Sequence, residues 1–170
     1  KSIKQRLTPT DILNIFIEQH RLCSPLDPET DPYAELSLNS TIDEWRDAND
    51  LLSWRPLSNF MNKQFQISAS ESEWKSVLLP SSLRTLKDVC ELISIHSSKK
   101  DILPKKLFGQ ECLSAAVFAT LKKYLEQRQV DVREIRPSTP VAHYFEKHFS
   151  EMVEQTTIIS NGKRLFDQFQ

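Results

Sequence analysis

Cys112 and His143 are the side chains in this sequence best suited to nucleophilic chemistry. A thiol becomes a nucleophile when a neighbouring base or a helix N-terminus favours its thiolate, and the partners of such a pair meet only in the fold. Cys112 is expected just inside the N-terminal end of a long helix, where the helix dipole favours the anion. The same position suits a small packed residue beside Ala115 and Ala116. A second candidate is the string Arg136-Pro137-Ser138-Thr139-Pro140. Its prolines fix the backbone, and Ser138 and Thr139 place hydroxyls at an expected helix start, a natural anion or ligand site. The plain alternative is an N-cap following a strand.

Other chemistries find less support. His143 and His148 are five apart, about 140° around a helix, whereas two zinc ligands on one face need a spacing of four. There is no CxxC pair, no GxSxG and no SxxK, so neither a metal set, a cofactor nor a serine hydrolase is expected. Glycine numbers two in 170 residues, where average usage would give roughly twelve. Gly-rich phosphate loops and dinucleotide fingerprints are thereby excluded. Asp43, Glu44, Asp47 and Asp50 form a helical row that could hold a cation, dock a basic partner or simply face solvent.

The net charge is -1, with 22 basic and 23 acidic residues, so no global field attracts nucleic acid. The basic pairs Lys99-Lys100, Lys105-Lys106, Lys122-Lys123 and Lys163-Arg164 leave a winged-helix DNA-binder as one alternative, with Asn161-Gly162 as the wing tip. Glu146, Glu151 and Glu154 on its recognition helix would repel phosphates. No stretch approaches the roughly 18 apolar residues of a membrane span, and Lys1 to Leu7 do not resemble a signal peptide. The three cysteines, Cys23, Cys90 and Cys112, are odd in number and far apart. Reduced thiols in a cytoplasmic protein, with no membrane contact, are the expectation.

The elements that must position these groups begin with well-marked helix starts. Thr8-Pro9-Thr10-Asp11, Thr41 with Glu44, Ser70 with Glu73, and Thr85 with Asp88 carry capping signals. Pro56 is expected to open another helix at its first position, and Pro80 to stop the helix that Ser70 begins. Cys23 to Ser40, with Pro25, Pro28 and Pro32 among acidic residues, reads as an irregular surface segment. Lys99 to Lys106 reads as a basic linker, and Gln110 to Gln129 as the longest helix. Val130 to Arg136 suggests a strand, followed by a helix that Ser138-Thr139-Pro140 begins. Asn161-Gly162 between Ile158-Ile159 and Leu165-Phe166 predicts a β-hairpin with a type I′ turn.

One stretch resembles a known family. Asp50-Leu51-Leu52, followed by Leu57, Phe60, Met61 and Phe65-Gln66-Ile67, is similar to the second helix of acyl carrier proteins. Thr85-Leu86-Lys87-Asp88-Val89 resembles the start of that family's last helix. The position matching the serine that carries phosphopantetheine is Leu51, which has no hydroxyl. The resemblance therefore implies a carrier-like bundle that docks partners through helix faces without a prosthetic group.

The expected fold is mainly α: a helical bundle followed by a small α+β region with a C-terminal β-hairpin. Residues 1–98 form the helical block and 107–170 the α+β region, as two parts or one continuous domain. The expected function is a non-catalytic protein-interaction or regulatory module whose partner is another protein. Its rivals are an enzyme or small-ligand-binding protein with a site assembled around Cys112, His143, Ser138 and Thr139, and the winged-helix reading.

Overall fold

The structure, a computed structural model, describes residues 6–97, 105–107 and 110–164. Two compact units divide them: one holds the described residues up to Ser97 together with those from Thr157 on, the other those between Lys105 and Thr156. The boundary between the units falls within the last helix.

In the first unit, α1 (Pro9–Cys23) runs into a 3₁₀ turn (Ser24–Leu26) and an irregular segment, followed by α2 (Ile42–Asn49), α3 (Trp54–Phe65), α4 (Glu71–Leu78) and α5 (Leu86–His96). Each expected capping signal sits at a helix start. The Thr8, Thr41 and Ser70 hydroxyls accept from the N–H three residues on, and Asp11, Glu44 and Glu73 accept from the capping residue's own N–H. At α5 the Thr85 N–H donates to Asp88 Oδ2 at 2.9 Å. Helix α3 differs from expectation, beginning at Trp54 and not at Pro56. Proline is tolerated at the third helical position because that N–H has no intrahelical partner anyway.

Helices α2 and α5 begin side by side. A helix leaves its first N–H groups without internal partners, and here each helix start fills the other's need. Ile42 N–H donates to Arg84 C=O at 2.9 Å and Asp43 N–H to Ser81 C=O at 3.2 Å. In return, Leu86 N–H donates to Ser40 C=O and Lys87 N–H to Leu38 C=O, both at 2.9 Å. The two capping threonines, Thr41 and Thr85, form an antiparallel bridge between these segments.

Below the clamp lies a core in which Ile12, Ile15, Leu86, Val89, Cys90 and Ile93 are fully buried. Phe16 stacks at a tilt on Trp45, centroids 5.0 Å apart, and edge-on to Phe65 at 5.9 Å. Burial of each such side chain contributes about 1.5–3 kcal/mol. Asn62 fastens the α3–α4 connection. Its Oδ1 accepts from the Trp74 indole N–H (3.0 Å) and the Ala69 N–H (3.2 Å), and its Nδ2 donates to the Ala69 carbonyl (2.9 Å).

In the second unit, strands β1 (Lys105–Leu107) and β2 (Gln110–Cys112) pair antiparallel, Lys105 opposite Cys112 and Leu107 opposite Gln110. Then come α6 (Leu113–Gln127), α7 (Val141–Lys147) and α8 (Phe149–Ile159). The core of this unit is Leu125, Val130, Val132, Ile135 and Met152, with Phe118, Leu121, Tyr144 and Phe145 packed against it. Val117, on α6, is exposed.

The predicted α+β region and C-terminal hairpin are not what forms. Thr156 to Ile159 continue α8 as helix, with the Thr156 hydroxyl donating to the Met152 carbonyl at 2.7 Å. A helix already nucleated from Phe149 gains a bond for each residue added, which outweighs the modest strand preference of Thr and Ile. Val130 to Arg136 is also not a strand: Val130, Val132 and Ile135 point into the core, but no described strand pairs with them. The two three-residue strands lie ahead of α6, partly within the expected linker.

Asn161-Gly162 keeps the positive φ expected of it (53° and 70°) but uses it to end α8. The Gly162 N–H reaches back to the Thr157 carbonyl at 2.8 Å, a helix-terminating bond across a left-handed residue. Within the first unit the residues from Thr157 on are tied to α1: Gln19 Nε2 donates to the Thr157 hydroxyl at 3.0 Å, and Ile158 packs on the core. A Cβ on Gly162 would lie 2.3 Å from the Asn14 carbonyl carbon and 2.4 Å from the Ile15 nitrogen, both backbone atoms that cannot rotate away. Gly162→Ala should therefore cost about 1–3 kcal/mol in urea denaturation, the range for an overpacked contact. An unchanged midpoint would show that this contact does not hold the chain end.

Glu73 yields a pH prediction. Hydrogen bonds from the Ser70 hydroxyl and the Ser70 N–H, then from His96 Nε2 at 2.9 Å, lower its carboxyl to about 2. A depressed folded-state value means stabilisation that is present above the ordinary 4.5 and lost as pH falls toward 2. A carbon-detected titration should give that low midpoint, and Ser70→Ala should raise it further than His96→Ala. The reverse order would assign the shift to the histidine.

Candidate functional site

A wide concavity lies in the first unit, where the irregular segment folds over α2. It is an open groove of about 440 Å³. Asp31 and Glu35 line it from the segment, and Glu44 and Asp47 from α2, with Ala34, Leu36, Ser40 and Ala48 between them. Several contacts fix this arrangement. Asp31 N–H donates to the Ala48 carbonyl at 3.0 Å, joining the segment to the last turn of α2. Leu36 and Leu38 pack on the core, and the Thr30 hydroxyl donates to the Ser24 and Asp27 carbonyls. The segment expected to be irregular is thus pinned at several points.

Two of the four carboxylates are partly engaged. Glu44 Oε2 accepts from Thr41 N–H at 2.7 Å, and Asp31 Oδ1 from Tyr33 N–H at 3.0 Å. Glu35 and Asp47 are exposed and make no ion pair among the described residues. Tyr33, beside the groove in sequence, is 90% exposed. Residues 27–50 hold eight acidic side chains and a single basic one, Arg46, in a chain whose overall net charge is only -1. This segregation was readable in the sequence. The row Asp43, Glu44, Asp47, Asp50 showed only part of it, because Asp31 and Glu35 join Glu44 and Asp47 through the fold. A groove of this composition attracts cationic groups.

The residues singled out for chemistry do not form a described centre. Cys112 ends β2 and precedes α6, and does not stand inside that helix; its side chain lies outside the described residues. His143 is exposed on α7, edge-on to Tyr144 with centroids 5.7 Å apart. Ser138 is exposed in a turn. Thr139 does not cap α7. Its hydroxyl accepts from Arg136 N–H at 3.0 Å and leans to the Glu134 carbonyl at 3.4 Å, and Pro140 takes the cap position with no side-chain bond. The expected N-cap followed by a first-position proline is therefore shifted by one residue. Threonine prefers here to close the tight turn that two prolines impose.

Cys90, on the inner face of α5, is fully buried, and burial pushes its thiol up to about 12. It acts as a small hydrophobe. Among the described residues no three His, Cys, Asp or Glu side chains converge to hold a metal ion. No described helix is long and apolar enough to cross a membrane. Asn161-Gly162, expected as the tip of a wing, terminates a helix, and Leu165-Phe166 lie outside the described residues. Leu51, where a carrier protein would bear its serine, is partly buried against the core, and Ser53 caps α3 without a side-chain bond.

No protein-family model, curated protein or solved structure matches this chain.

Proposed function

We propose that this chain is a non-catalytic protein-interaction module whose docking face is the acidic groove between the irregular segment and α2, and whose partner presents a basic segment. The observation that carries this reading is the concentration of negative charge, eight acidic residues against one arginine over residues 27–50, around an open groove held in place by backbone hydrogen bonds. Exposed ion pairs contribute about 0.2–1 kcal/mol each, so affinity here would come from several carboxylates acting together, and recognition would weaken with salt. Tyr33 supplies an exposed aromatic side chain, the residue type that most often anchors an interface. The likeness to acyl carrier proteins fits the same reading at the level of docking through helix faces without a prosthetic group. A reducing, cytoplasmic setting belongs to the proposal too, supported by the buried thiol of Cys90.

The test is titration of the full chain with a short Lys/Arg-rich peptide, followed by amide chemical shifts. Shifts should cluster over residues 31–48. Affinity should fall at least tenfold in the Glu35→Lys, Asp47→Lys double variant and again when ionic strength rises from about 0.05 to about 0.5 M. An acidic peptide binding equally well, or shifts scattered away from the groove, would remove the basis for this reading.

A further inference from the structure

We infer that the second unit holds a separate small-molecule site, built for a monocarboxylate with a compact apolar body. The observation is a cavity of about 70 Å³ in that unit. Phe118, Leu121, Leu125 and Met152 line its apolar part, and two cationic residues, Lys122 and Arg136, line it as well. No acidic side chain does.

Size and lining define the body of the ligand. The space exceeds the roughly 10–15 Å³ that one water needs, yet a wall of Phe, Leu and Met gives water few of the two to four polar partners it requires. An apolar group of two to four carbons suits such a space better than solvent does, since a benzene-sized body takes a cavity of roughly 150 Å³. The charges define its head group. Lys122 Nζ donates to the Ile135 carbonyl at 3.3 Å, which ties the ammonium to the cavity wall and leaves two of its donors unspent. Arg136 makes no ion pair among the described residues. The carboxylate of Asp131, on the same segment as Arg136, is taken up by Arg133, whose Nη2 lies 2.6 Å from Oδ2. A planar carboxylate can accept from an ammonium and a guanidinium together, and such charge-assisted bonds are the strong ones.

This assignment revises the anion site expected at Ser138 and Thr139. Helix α7 has only seven residues, and its cap makes no side-chain bond, so the helix start is not the binding element. Thr139 lines the cavity, but its hydroxyl is committed to Arg136 N–H and the Glu134 carbonyl. It is a positioning residue that shapes the turn presenting Arg136. The site shares no residue with the acidic groove, so either can fail alone.

Isobutyrate, with isobutyramide as its uncharged isostere, tests the inference on the full chain by amide chemical-shift titration. Isobutyrate should saturate with a dissociation constant on the order of 10 mM or tighter, as expected for a ligand of so few atoms, and shift Leu121, Lys122 and Ile135. Isobutyramide should bind at least tenfold more weakly. Arg136→Gln, a change at an exposed position, should reduce isobutyrate to the isobutyramide level without altering the unfolding temperature, and Lys122→Gln should act in the same direction. Failure of isobutyrate to saturate, equal binding of isobutyramide, or an Arg136→Gln affinity that matches the unsubstituted chain would each overturn it.

Discussion

The reciprocal clamp between the starts of α2 and α5 is the constraint on which the rest of the first unit depends. Every helix start carries donors that the helix cannot satisfy, and burying them unpaired costs about 1–3 kcal/mol each. Ile42 and Asp43 find acceptors in the turn before α5, while Leu86 and Lys87 find theirs in the segment before α2. Neither helix could begin where it does without the other. Because Ser40 and Glu44 belong to this joint, the groove inherits its shape from the clamp. The aromatic packing of Phe16, Trp45 and Phe65 then fills the space beneath.

Glycine scarcity shapes the other ends of the helices. Chains usually place glycine at the left-handed residue that terminates a helix. Here Asp50, Gln66, Gln129 and Asn161 take that conformation. After each, the next N–H reaches back five residues: Leu51 to Arg46, Ile67 to Asn62, Val130 to Leu125 and Gly162 to Thr157. The strain accepted at these residues is offset by giving the next N–H an acceptor in the last turn of the helix. Gly162 is spent where no side chain can stand, against the backbone of α1.

This division explains what the sequence disclosed. Helix starts were legible because Thr8, Thr41, Ser70 and Thr85 carry their partners three residues on, a local code that folding leaves intact. Helix ends were not, because aspartate and glutamine at a left-handed position look like any surface residue. Asn161-Gly162 misled for the same reason: its requirement for positive φ is real, but it serves a hairpin turn and a helix stop equally, and only the helical context from Phe149 decides. The candidate sites followed suit. The α2 carboxylates were visible as a row, whereas Asp31 and Glu35 reach them through a segment that carries no periodic signal. Ser138 and Thr139 were noticed for their hydroxyls, but the charges beside the second cavity come from two different elements, Lys122 from α6 and Arg136 from the turn before α7, with no shared period to link them.

Function, on this account, follows from rigidity at two levels. The clamp holds the groove, and the groove holds a field of carboxylates, the face proposed to receive a basic partner. Native-state hydrogen exchange at the Ile42, Asp43, Leu86 and Lys87 amides measures the first link directly. The account predicts that all four exchange together, as slowly as amides inside α1, despite lying in the first turns of helices that ordinarily fray. Rapid, independent exchange at these positions while α1 stays protected would contradict it.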